Sequence, residues 1–210
     1  RGLADRTIVV AIGDHGESLD EHGENTHGFF VYDATMRVPF IVRTPYGKTR
    51  GRRVTSVVRS EDLMPTVLDL VGRAAPPGIQ GRSLAPLLSG AVLDLNLDAY
   101  SESLYARNHY GWSDLKALTS GRYKYIETTR PELYDLERDP NELDNIVDAR
   151  RDLATRMSAA LAGLGAEGPA AAGPSASFTC CWRLASDALM TCCFSPSAVF
   201  TAASRTPSEV

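Results

Sequence analysis

The sequence predicts an α/β fold: a mixed sheet with flanking helices, followed by a small antiparallel sheet and a C-terminal helix. Three observations predict it. Thr7 to Ile12 is a continuous apolar, β-branched run, the pattern of a strand buried in a parallel sheet. Val54 to Gly72 shifts from an extended to a helical period. From Ala99 onward the pattern is that of antiparallel strands joined by short turns.

The elements follow in order. "VPFIVR" (Val38 to Arg43) reads as the second strand, and a long loop rich in Gly, His and acids joins it to the first. Loops at strand ends of α/β proteins are where sites form. Val54 to Val58 reads as extended. Asp62 is positioned to cap a helix with Pro65 in its first turn, where a missing N–H costs little. Leu63, Val67, Leu70 and Val71 share one face of it, and Gly72 ends it. Ser83 is the candidate cap of a short helix carrying Leu84, Leu87 and Leu88. "LKALTSGRYKYIE" reads as a hairpin turning at Ser120-Gly121, and "ELYDL" as a further strand. Asp139 and Pro140 suit the cap and first position of a helix. Leu153, Met157, Leu161 and Leu164 mark a last amphipathic helix.

This order divides the chain into a core (residues 1–98), a small β subdomain with its terminal helix (99–165) and a linker plus tail (166–210). The tail is expected to be poorly ordered or the product of a shifted reading frame. It holds all four cysteines, as Cys180-Cys181 and Cys192-Cys193, so the body needs no disulfide and its redox compartment is not legible.

Bulk properties narrow the class. Hydrophobic residues make up 43% of the 210, ample for a core. A net charge of -4 argues against a nucleic-acid partner, because phosphate-neutralising proteins are usually basic. No apolar run reaches the length needed to cross a bilayer.

Chemistry concentrates in "TIVVAIGDHGESLDEHGENTHGFF", which holds three of the four histidines. Asp14 and His15 follow the first strand directly. A hard anionic oxygen beside an imidazole nitrogen suits a divalent cation. Gly13 and Gly16 are read as letting the chain bend so that neighbouring side chains converge. Two ligands are too few for a firm site, and the competing reading is a turn cap beside a surface histidine. Glu17, Asp20, Glu21 and Glu24 read as a solvated acidic loop ordered by His22. His27, in "THGFF", is a candidate donor to an anionic substrate oxygen, a leaving-group acid or a second-metal ligand; its competitor is a core histidine satisfied by backbone. Arg37 and Arg43 flank the second strand as candidate anion attractors or surface ion-pair partners. His109, Tyr110 and Trp112 either line a pocket mouth or pack the small sheet on the core.

As an ordered set, "GDHGESLDEHGENTHGFFVYDATMRVPFIV", "RVTSVVRSEDLMPTVLDLVG", "PPGIQGRSLAPLL" and "YKYIETTRPELYDLERDPNELDNIV" resemble the C-terminal half of the sulfatases, within the alkaline-phosphatase superfamily. The similarity is strongest to bacterial members with Asp-His at the metal. The resemblance implies an alkaline-phosphatase-like α/β core and displacement chemistry at sulfur or phosphorus. It implies a divalent metal cation (calcium, manganese or zinc alike) held by Asp14 and His15. It also implies that His27, thirteen residues after the first ligand, contacts the transferred group. The expected substrate is a small-molecule or glycan sulfate or phosphate ester. The chain departs from the family in lacking any C-x-P-S-R motif, whose Cys or Ser is the nucleophile. The remaining metal carboxylates also belong to the part of the family that has no counterpart here. The expectation is therefore a catalytically inactive fragment of marginal stability. Two rivals remain: phosphodiester, phosphonate or phosphoethanolamine chemistry on the same scaffold, and a non-catalytic binding module.

Overall fold

A computed structural model describes residues 2–45 and 51–166. The cysteine-bearing tail lies outside the described residues. The strands are β1 (Val9–Ile12), β2 (Phe40–Arg43), β3 (Asp98–Ser103), β4 (Leu115–Ser120), β5 (Tyr123–Glu127) and β6 (Glu132–Asp135). The helices are α1 (Asp33–Met36), α2 (Leu63–Leu70), α3 (Ala85–Ser89), α4 (Tyr105–Tyr110) and α5 (Arg151–Ala166).

β1 and β2 form a two-stranded sheet. The sequence pattern predicts a buried, parallel arrangement; the structure pairs them antiparallel, with Val9 opposite Arg43 and Ile12 opposite Phe40. Their period-2 alternation leaves one face open, where Val9 and Ile41 are exposed. Phe40 lies on the other face and packs with Val54, Val58, Leu84, Leu87 and Leu97.

The stretch from Val54 to Val58 forms no strand. Asp62 enters α2 through a short 3-10 turn rather than capping it alone. Its fully buried carboxylate accepts the Arg59 backbone N–H at 2.8 Å, the Arg59 guanidinium at 2.9 Å and the Arg82 N–H at 2.8 Å. Leu84, not Ser83, is the N-cap of α3; Ser83 stands one residue earlier, where its hydroxyl oxygen accepts the Ala85 N–H at 3.2 Å.

The second sheet runs β3-β4-β5-β6, antiparallel throughout. Both its faces are covered, and alternation assigns each residue to one of them. Leu118, Tyr125 and Leu133 pack against Ala154, Met157 and Leu161 of α5. Ala117, Ile126 and Tyr134 pack against Val31, Tyr32 and Met36 of the segment that follows His27. The small sheet is therefore a wall behind the histidine-bearing loop.

The helix expected at Asp139-Pro140 does not form; the chain makes turns there. Glu142 adopts a φ of 57°, a left-handed conformation that breaks any helix. That twist turns its side chain inward. Glu142 Oε1 lies 2.9 Å from Lys124 Nζ, and Oε2 accepts the Asp33 N–H at 2.6 Å. Lys124 also reaches Asp33 Oδ1 at 2.8 Å. Both Lys124 and Glu142 are buried.

Candidate metal and anion site

The site-bearing loop leaves β1 at Gly13. Gly16 then runs against α1, where its N–H donates to the Thr35 carbonyl at 2.7 Å. A β-carbon at residue 16 would overlap the Ala34 carbonyl oxygen, so close approach, rather than a special backbone conformation, requires glycine here.

Asp14 is mostly exposed, and its Oδ1 accepts the His15 N–H at 3.1 Å. His15 Nδ1 lies 2.6 Å from the Gly16 carbonyl oxygen and donates to it. In the neutral ring that leaves Nε2 with the lone pair, and Nε2 lies 3.8 Å from Asp14 Oδ2. Two ligands at about 2.0–2.2 Å from one ion accept such a spacing. The residues present therefore fit a divalent cation as a partial donor set.

His27 lies on His15, with ring centroids 3.9 Å apart. Its Nδ1 donates to Glu17 Oε2 at 2.9 Å. This hydrogen bond holds the Glu17 carboxyl below its ordinary range. Donor atoms of His15, Glu17 and His27 lie within 4.8 Å of one another. His15 and His27 line a cleft of about 20 Å³, room for a water or a bare cation, whose other walls include Gly28, Phe30, Met36, Glu102 and Ser103.

The small sheet fixes this loop at several points. Ser103 Oγ donates to the Gly28 carbonyl at 2.5 Å. Glu132 accepts both the Tyr32 hydroxyl at 2.9 Å and the Tyr134 hydroxyl at 2.8 Å. Desolvation first, then the hydrogen bond to Glu132, pushes both tyrosines upward, so they remain neutral donors. Glu24 accepts the Phe29 N–H at 2.7 Å and the Phe30 N–H at 3.3 Å. His22 orders its loop by a 3.0 Å contact to the Asn141 carbonyl and by stacking on Tyr32.

The structure thus brings His15 and His27 together with Glu17, while Asp14 lies beside His15 but outside the cleft lining. It does not bring Arg43 to them, because that guanidinium donates to the Ala4 carbonyl at 2.7 Å. Sequence reading missed Glu17, Glu24, Lys124, Glu132 and Glu142. One signal was available: a lysine inside "YKYI", on the face opposite the two tyrosines, needs a buried partner.

The α/β scaffold thus carries Asp-His after its first strand, with a second histidine, His27, in the cleft that His15 lines. Residues 21–165 match the family described as "N-sulphoglucosamine sulphohydrolase, C-terminal", and the chain belongs to the sulfatase family. It is similar to mouse arylsulfatase K, with 34% identity over 153 residues covering 69% of this chain and 27% of the relative. It is similar to the Δ4,5-hexuronate-2-O-sulfatase of Bacteroides thetaiotaomicron, with 33% identity over 67% of this chain and 30% of the relative. Among solved structures it resembles a phosphonate monoester hydrolase from Silicibacter pomeroyi, with a TM-score of 0.64, 29% identity and coverage of 78% of this chain and 35% of that one. The chain spans under a third of the length of these curated relatives.

Proposed function

We propose that this chain supplies the metal-and-anion half of a hydrolase of sulfate esters, with a sulfated glycan as substrate. The reading is carried by one observation: His15 and His27 line one cleft with their rings 3.9 Å apart, and Asp14 Oδ2 lies 3.8 Å from His15 Nε2. Relatives that act on sulfated sugars support the substrate class.

Asp14 and His15 would hold the divalent cation. When bound, the cation supplies Lewis-acid stabilisation of charge on the ester oxyanion. The chain's own residues do the rest. Gly16 and the Gly16 carbonyl hold the His15 ring in the tautomer whose Nε2 carries the lone pair. Glu17 takes the Nδ1–H of His27, so only Nε2 of that ring addresses a ligand, and when protonated it donates to a non-bridging oxygen. Ser103 already donates its hydroxyl proton to Gly28, so it tethers the loop rather than attacking substrate. The sequence has no C-x-P-S-R motif, and the reading assigns no nucleophile within these 210 residues.

The same scaffold working on phosphorus is the second reading, favoured by the likeness to the phosphonate monoester hydrolase. The test has two parts. Mn²⁺ titrated into the chain is expected to bind, and Asp14→Asn or His15→Ala to weaken binding at least tenfold; equal affinity in the variants overturns the site. Assayed alone with Mn²⁺, Ca²⁺ or Zn²⁺ on aryl sulfates, sugar sulfates and phosphodiesters, the chain is expected to give no turnover. Metal-dependent turnover would refute the inactive assignment, and the preferred ester would decide between sulfur and phosphorus.

A further inference from the structure

We propose that Phe29, Tyr110 and Trp112 form a shelf that binds the pyranose ring of a sulfated sugar whose ester group lies in the His27 cleft. This rests on the reading of that cleft as a sulfate-ester site.

The first argument is position. Phe29 lies two residues beyond His27 and meets Trp112 nearly edge-on, at 6.1 Å and 80° between rings. Tyr110 lies 6.4 Å from Phe29 and 5.2 Å from Trp112. The bond from Ser103 to Gly28 ties the start of α4 to the cleft. Gly111, at a φ of 67°, ends α4 and returns the chain so that the Trp112 N–H reaches the Ala106 carbonyl at 3.3 Å. Helix and loop thus set Tyr110 and Trp112 against Phe29, which sits in the chain between the cleft residues Gly28 and Phe30.

The second argument is exposure. Ala106 is 3% exposed and carries the packing of α4, whereas Tyr110 and Trp112 are 56% and 62% exposed. Adjacent large rings left open at the edge of a polar cleft mark a binding surface. A sugar presents a flat C–H face to such rings and hydroxyls around its rim.

The third argument is charge. Arg107 and Lys116 both pair with Asp114, at 3.8 and 3.4 Å. Glu102 and Glu127 lie opposite Lys116 on the neighbouring strands, so the rim carries charges of both signs and offers donors and acceptors to sugar hydroxyls. An aryl ring would leave those polar groups unused.

The experiment uses the full chain in a Trp182→Phe background, so that indole emission reports Trp112. Methyl sulfate, glucose 6-sulfate and phenyl sulfate are titrated while Trp112 emission and the His27 imidazole NMR signals are followed. Glucose 6-sulfate is expected to perturb both and to bind about tenfold more tightly than methyl sulfate, the size of one aromatic stacking contact. Trp112→Ala is expected to abolish that advantage and leave methyl sulfate unchanged, while Trp112→Phe retains most of it. An unchanged ratio in Trp112→Ala, a preference for phenyl sulfate, or an indole silent to sugar and shielded from acrylamide would each overturn the shelf. A silent His27 with a responsive Trp112 would instead overturn the sulfate-ester reading of the cleft, and with it the sulfate half of this proposal.

Discussion

The Glu17 carboxylate accepts the Nδ1–H of His27 across 2.9 Å, ten residues along a loop that the sequence presents as a string of solvated acids. This pair determines which nitrogen of His27 faces the cleft. Removing it should act through ring orientation. Glu17→Ala is expected to reverse the His27 tautomer, read from imidazole nitrogen shifts, and to weaken methyl sulfate binding about 10- to 100-fold, as loss of an orienting partner does elsewhere. Glu17→Gln keeps an acceptor oxygen and should restore the tautomer. Identical His27 spectra in both variants would remove Glu17 from the mechanism.

Lys124 offers a test of the brace between the small sheet and the site loop. Its partners Asp33 and Glu142 lie 2.8 and 2.9 Å away. Lys124→Met leaves a buried carboxylate without its cation, and the expected loss at pH 7 is about 3–5 kcal/mol. Chemical denaturation checks it.

The same variant has a pH signature. Burial already raises the Glu142 carboxyl above its ordinary 4.5, and Lys124 opposes that rise. Without Lys124 the rise is larger. The folded state then binds more protons than the unfolded state above pH 4.5, so stability must fall as pH increases through that window. The deficit of Lys124→Met relative to wild type is therefore expected to shrink as pH drops from 7 toward 4.5, as denaturation midpoints will show. A deficit that grows on acidification contradicts this account.

Ser103→Ala removes the tether between β3 and the residue after His27. One hydrogen bond to a part-buried carbonyl is worth about 1 kcal/mol, so global stability should fall only slightly. Amide exchange of Phe29 and Phe30 should accelerate while that of α5 stays unchanged.

Leu161 sits at the centre of the contact between α5 and the small sheet, 1% exposed. Leu161→Ala is expected to cost about 2–5 kcal/mol and to lower the melting temperature. A shift within experimental error would mean that α5 does not pack on β4 and β5 as described.

Much of the architecture is legible locally. Period-2 alternation and Gly121 specify the β4–β5 hairpin, and the spacing of Leu153, Met157 and Leu161 specifies α5. The adjacency of Asp14 and His15 is written in the chain itself. Two local signals misled. The apolar run of β1 reads as a strand buried on both faces, yet it pairs antiparallel with β2 and leaves Val9 exposed. Asp139-Pro140 reads as a helix start, yet Glu142 breaks the helix to reach Lys124.

By itself, then, the sequence determined the strands β1 and β2, the antiparallel run from β3 to β6, the Ser120-Gly121 turn and the helices α2, α3 and α5, because periodicity and turn chemistry act over a few residues. Only the tertiary structure decided which acids support the site. Lys124 meets Asp33 across 91 residues, Tyr32 meets Glu132 across 100, and Glu142 meets Asp33 across 109. A solvated glutamate and a buried one look alike in a string of letters. They part company only when folding strips away water and leaves each charge to the partner that the sheet brings to it.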